Sequence, residues 1–231
     1  DEAREALRTL AGAGLAEDAG GGRYRVPEAV CGAVPGQAGE RDAAMRRLLD
    51  GYLAGEPVAA EALALLDRER WTEAAETLTA ALRDAERDAE RTGDRRAVLL
   101  ARHDLGRALT GTGDLDRALE LLGPLPDAFA TLPEPDPMRR GAALTSLGLV
   151  QLRMRRPVTA INFFGQALEL MRAEGAVERQ GDLFVALADA ARQRGDGAAE
   201  GAALDRAAEL YEAVPSPRAG SVSDRRAALG H

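Results

Sequence analysis

The sequence predicts an all-α protein of stacked helical hairpins, preceded by a small helix-plus-β-hairpin segment. Three observations carry that reading. Hydrophobic residues make up 45% of the 231 residues but aromatics only 3%, so burial falls to Ala, Leu and Val, which suit close-packed helices better than sheet sandwiches. Leu105, Leu147 and Leu187 recur 42 and 40 residues apart, each followed by a small residue, Gly106, Gly148 or Ala188. A repeating pattern of this length marks hairpins that each pack on their neighbours.

Taken in order, residues 1–34 begin with an amphipathic helix carrying Leu7 and Leu10, then Leu15, a Gly20 to Gly22 tip, and Arg23-Tyr24-Arg25-Val26. That succession reads as helix, short strand, turn and strand, a wing-like unit. Residues 35–59 are expected to be a connecting helix or linker. The hairpin expected over 60–94 is the weakest. Trp71, Ala74, Leu78 and Ala81 fit its second helix, while Leu63 to Leu66 give only a blurred first helix. From Thr72 to Thr92, Arg alternates with Asp and Glu at helical spacing, as on a solvated face.

Three clearer hairpins follow, at 97–132, 137–174 and 177–213. In each, the small residue after the leucine lets the first helix approach the second, where in the first two an Ala and a bulky residue four later share one face. The second-helix residues are Ala118 and Leu122; Ala160, Phe164 and Ala167; Leu204 and Ala207. Gly113 and Gly195 are expected at the turns, with Pro157 serving the middle hairpin from the first turn of its second helix. Two departures stand out. Pro124 and Pro126 should end their helix early, with Leu125 in place of an Ala, and Glu200 occupies the position of Ala118 and Ala160. Residues 214–231, with Pro215 and Pro217, read as a disordered tail.

Charge excludes several functions. The net charge is −8, and all 30 basic residues are arginine, which removes Schiff-base chemistry and the P-loop lysine. An acidic chain without basic runs is a poor nucleic-acid binder. The single cysteine, Cys31, cannot form an internal disulfide, and no apolar run approaches the roughly 18 residues of a membrane span, which points to the cytoplasm. Asp1 is followed by nothing resembling a signal peptide, so the chain reads as a piece of a longer protein.

No residue set nominates an active site, metal site or cofactor. Cys31 sits in an apolar stretch from Ala29 to Val34 and reads as a small buried hydrophobe. His103 reads as a groove or surface histidine, with Asp104 on a different face and Asp114 nearby in sequence. The glycines of GAGLAEDAGGG and GTGD lack the strand and Lys-Ser/Thr of a phosphate loop. Asp114, Asp116, Asp182 and Asp189 lie on charged helices where carboxylates are abundant.

The Leu-Gly of the first helix, followed by Ala, a bulky residue and Ala in the second, resembles the tetratricopeptide repeat, with a period longer than the usual 34 or so. The resemblance covers about residues 60–213 and implies a right-handed α-solenoid whose first helices line a concave groove for a peptide or partner protein. The groove positions it implies are His103, Arg107, Thr110 and Gly111; Thr145, Leu149, Leu152 and Arg153; Val185, Asp189, Arg192 and Gln193. The Lys and Asn set of carboxylate-clamping relatives is missing. Arg107, Arg153 and Arg192 recur instead, and could hold acidic groups through two-pronged hydrogen bonds above an apolar floor of Leu149 and Leu152.

The stretch ALRTLAGAGLAEDAGGGRYRVPEAV resembles the end of the winged-helix module that follows the nucleotide-binding domain in bacterial NB-ARC (STAND) regulators of the SARP-like kind, in which tetratricopeptide repeats commonly come next. That implies an interaction or sensor module of a nucleotide-switched regulator, its ATP or ADP site outside these residues. A second copy of the chain is a further candidate partner. The competing reading is a DNA-binding regulator using the wing, although residues 1–34 carry six acidic and four basic side chains. An enzyme hidden on a solenoid would need a convergent polar site.

Overall fold

The computed structural model describes residues 57–214, 216 and 218–229, with two short strands nearer the amino terminus. The strands, β1 (Glu17–Asp18) and β2 (Tyr24–Arg25), pair antiparallel with Glu17 opposite Arg25 and Asp18 opposite Tyr24. The rest of the expected wing, the linker up to residue 56, and Cys31 lie outside the described residues. All other described elements are α-helices, so the fold is all-α in character, and none of those helices is long and apolar enough to cross a membrane.

The chain divides into two units, Asp1–Arg68 and Glu69–His231, a boundary that falls inside the hairpin expected over 60–94. In the first unit, helix α1 (Pro57–Asp67) buries Ala62 and Leu66. The second unit is a succession of helices: α2 (Trp71–Thr92), α3 (Arg95–Thr112), α4 (Leu115–Leu122), α5 (Leu125–Ala130), α6 (Pro137–Arg153), α7 (Pro157–Ala173), α8 (Val177–Gln193), α9 (Gly197–Glu212) and α10 (Ala219–Ala228). Each packs on its neighbours in sequence, and α3, α6 and α8 also touch one another in series.

The hairpins close where side chains vanish. A Cβ on Gly106 would lie 2.5 Å from Leu122, and one on Gly148 2.3 Å from Phe164. The glycines therefore admit the bulky residue of the facing helix, and Ala118, Leu122, Ala160, Phe164, Leu204 and Ala207 are all fully buried. Burying a side chain the size of Phe164 contributes roughly 2–3 kcal/mol. A second set of close approaches lies seven residues away, two helical turns along, at Gly141 against Met171 and Gly181 against Tyr211. Along α2, the alternating charges form ion pairs between Arg87 and Asp84 and between Arg91 and Asp88, as a solvated face should.

Three expectations need correction. The middle turn is made by Arg155, which takes the left-handed conformation (φ 60°) that Gly113 (φ 90°) and Gly195 (φ 74°) supply in the flanking hairpins. Pro157 only starts α7. Pro124 and Pro126 end α4 as foreseen, but the chain re-enters a helix at once as α5, burying Leu125 and Phe129, because proline is tolerated in a first helical turn. The stretch expected to be a disordered tail contains helix α10, which packs on α9 through Val222, 4% exposed, against Ala188, Leu204, Ala207 and Tyr211.

Polar contacts explain α10 better than apolar ones. Arg225 donates to Glu200 at 2.6 Å through Nη2 and 3.1 Å through Nε, and to Asp189 at 2.8 Å. Arg218 pairs with Asp182, which also accepts from the Tyr211 hydroxyl at 2.5 Å, and Arg226 reaches Asp205. Glu200, anomalous in sequence, is the buried socket for Arg225. Burial and then the adjoining Asp182 carboxylate push the Tyr211 hydroxyl above its ordinary range.

Candidate functional site

The carboxyl ends of α3, α6 and α8 frame a cleft of about 410 Å³. Of the groove positions expected from the sequence, Arg107, Thr110, Gly111, Leu149, Leu152, Arg153, Asp189, Arg192 and Gln193 line it, drawn from all three helices. Trp71 and Ser146 complete the lining, and neither was foreseen there. Leu149 is 42% exposed, an apolar side chain left facing the opening. Trp71 lies so close to α3 that a Cβ on Gly111 would meet its ring at 2.1 Å. An indole braced against backbone is a rigid apolar wall. Gly111 was the visible sign of it, since the other hairpins carry Arg153 and Gln193 at the same position.

Those two side chains also act as struts. Arg153 Nη1 donates to the Gly111 carbonyl at 3.3 Å, and Gln193 Nε2 donates to the Leu152 carbonyl at 3.1 Å. Each ties the end of one helix to the end of the equivalent helix before it, using carbonyls that a helix terminus leaves without intrahelical partners.

Other expected groove residues are placed differently. His103 is 5% exposed and buried between α3 and α6, its Nε2 3.0 Å from Ser146 Oγ. Its Nδ1 lies 3.6 Å from Asp104, so the two are not separated by helix face. Its hydrogen-bond partner is 43 residues away, out of reach of local pattern reading. Burial pushes Asp104 up, but the adjoining His103 imidazole and the charges of Arg107 and Arg139 outweigh it and hold the carboxyl below its ordinary value. Thr145 turns back to the Gly141 carbonyl at 2.8 Å, and Val185 packs beside the Ala188 and Tyr211 cluster. Leu152 lines the cleft but is only 6% exposed, a floor more than a contact.

Arg107 pairs with Asp104 at 3.2 Å and Arg192 with Asp189 at 3.2 Å. Asp189 is shared with Arg225 of α10. A second cleft, of about 630 Å³, opens beside the first and is lined by Gly113, Leu115, Leu152, Arg153, Arg155, Arg192 and Gln193. Three arginines and no acidic residue line it. Among the described residues no group of three or more His, Cys, Asp or Glu side chains could hold a metal ion.

No protein-family model matches the chain, and no curated protein matches it in sequence. Among solved structures it is similar to BtubC (BKLC) from P. vanneervenii, with a TM-score of 0.57 and 20% identity. The similarity spans 71% of this chain and 65% of that one, less than two thirds of the neighbour's length. What the two chains share at that identity is a helical fold.

Proposed function

We propose that this chain is a protein-interaction module whose hairpins form a tetratricopeptide-type right-handed solenoid and whose first helices bind an acidic or amphipathic polypeptide segment. The observation that carries the reading is the convergence in one cleft of Arg107, Arg153 and Arg192 with Leu149 and the Trp71 ring. Planar, permanently charged forks next to an aromatic wall suit a ligand that alternates carboxylates with apolar side chains. The chain as a whole carries −8, so an arginine-lined cleft is a local reversal of sign. Such a reversal steers anionic partners toward one place.

The parent protein, in this reading, is a nucleotide-switched signalling or transcriptional regulator of the NB-ARC type, with the paired strands β1 and β2 belonging to its winged-helix module. Support for that context comes from the Arg23-Tyr24-Arg25 stretch and its place ahead of the helical hairpins.

The test is an array of synthetic peptides varying in acidic and apolar content, probed with the labelled full chain. Bound peptides should be rich in Asp and Glu beside apolar residues, and binding should fall by about tenfold or more in Arg107→Ala/Arg153→Ala/Arg192→Ala. The sole tryptophan, Trp71, should change emission on binding. Peptide binding indifferent to the triple substitution would remove the groove from consideration.

A further inference from the structure

We infer that Arg153, Arg155 and Arg192 form a binding site for a phosphoryl group carried on a side chain of the polypeptide in the groove. The inference rests on the groove reading above and adds to it the chemistry of one ligand position.

Two observations and a count of donors lead there. The 630 Å³ cleft is lined by these three arginines with Gln193 and no acidic residue, on a chain with an acidic surplus. Among the described residues no carboxylate pairs with Arg153 or Arg155, and Arg192 has only Asp189, which sits closer to Arg225 (2.8 Å) than to Arg192 (3.2 Å). The guanidinium forks are therefore incompletely matched by the protein's own anions.

The turn between α6 and α7 is the second observation. The flanking hairpins turn on Gly113-Asp114 and Gly195-Asp196, whereas this one turns on Arg155-Arg156. Arg155 is held at φ 60° where glycine serves in the flanking hairpins, a conformation unfavourable for a residue that carries a Cβ. Folding alone would favour glycine at this position. Its replacement puts an arginine in the lining of the cleft, and the next residue exchanges a carboxylate for a second cation.

The number of donors selects the ligand. A carboxylate offers two oxygens and one negative charge, which a single arginine fork satisfies. A phosphoryl group offers three acceptor oxygens and a charge of about −1.5 to −2 near neutral pH, a match for three forks. Phosphate-bearing polypeptides are recognised by arginine clusters for this reason.

The experiment titrates the isotopically labelled full chain with N-acetyl-phosphoserine amide, inorganic phosphate and acetate, following backbone amide signals of Gly113, Arg155 and Gln193. N-acetyl-phosphoserine amide should give saturable shifts at those amides, with a midpoint at least about tenfold lower than acetate. Arg153→Gln/Arg155→Gly, in which glycine suits the turn, should raise that midpoint by about fivefold or more, and Arg194→Gln, outside the cleft, should leave it unchanged. Equal response to acetate overturns the preference for a dianion. Response to inorganic phosphate but not to N-acetyl-phosphoserine amide overturns the side-chain-borne source. No response to any probe removes the site, while the groove reading is decided separately by the peptide array.

Discussion

Replacing Arg225 with leucine strands a carboxylate. The Glu200 side chain is 5% exposed, and its only described hydrogen-bond partner is Arg225, at 2.6 and 3.1 Å. Removing one member of a buried ion pair costs about 3–5 kcal/mol because the remaining charge has lost its solvent without compensation. Arg225 is itself a quarter exposed, and screening reduces the expected loss to about 2–3 kcal/mol. The protein has one escape, which is to release α10 and let water reach Glu200, so the loss cannot exceed the free energy that docks α10. The companion change is Glu200→Ala, which restores the residue type found at Ala118 and Ala160. Arg225→Leu/Glu200→Ala should lie within about 1 kcal/mol of the parent, giving a coupling energy of about 2 kcal/mol in a double-mutant cycle. Denaturant unfolding supplies the free energies, and hydrogen exchange at Val222 to Arg226 reports whether α10 has left. Equal stability of Arg225→Leu and the double variant, with α10 still protected, would refute the assignment of Glu200 as a socket.

Three further outcomes are expected. Gly148→Ala places a methyl 2.3 Å from Phe164 and should cost about 1–3 kcal/mol in unfolding experiments; adding Phe164→Leu should recover part of it by reproducing the Ala188 and Leu204 pairing. Arg155→Gly should raise thermal stability by about 0.5–1 kcal/mol, since glycine adopts φ 60° without a Cβ penalty. Asp104→Asn should cost about 1–3 kcal/mol at neutral pH. Because its folded-state value lies below the ordinary 3.8, the Asp104 carboxylate stabilises the fold above that pH and ceases to as pH falls through the folded value. The variant should accordingly show a flatter loss of stability in acid, measured by urea midpoints across pH.

Which features were legible follows from how far apart the interacting residues lie. Gly106 and Leu122, or Gly148 and Phe164, sit 16 residues apart and repeat with the hairpin, so the close approach showed in the pattern. Gly141 and Gly181 follow the same logic, each seven residues before the small position, and could have been found by extending the pattern two helical turns. His103 was misplaced because its hydrogen-bond partner, Ser146, lies on the next hairpin. Helix α10 was hidden by composition. It has one buried apolar residue, Val222, and its docking depends on arginines that look solvated until the facing Asp182, Asp189, Glu200 and Asp205 are known. The cleft was legible as a set of positions but not its aromatic wall, since Trp71 comes from the least regular hairpin.

The struts from Arg153 to Gly111 and from Gln193 to Leu152 set a spacing as well as a tie. Neighbouring packed helices stand about 8–10 Å apart, and an extended polypeptide advances about 3.3 Å per residue. Successive helices in the series α3, α6, α8 would then meet every third residue of an extended chain laid across them. In the binding mode proposed above, the struts would act as the graduations of a ruler, and a bound polypeptide would carry its acidic side chains in a frame of three.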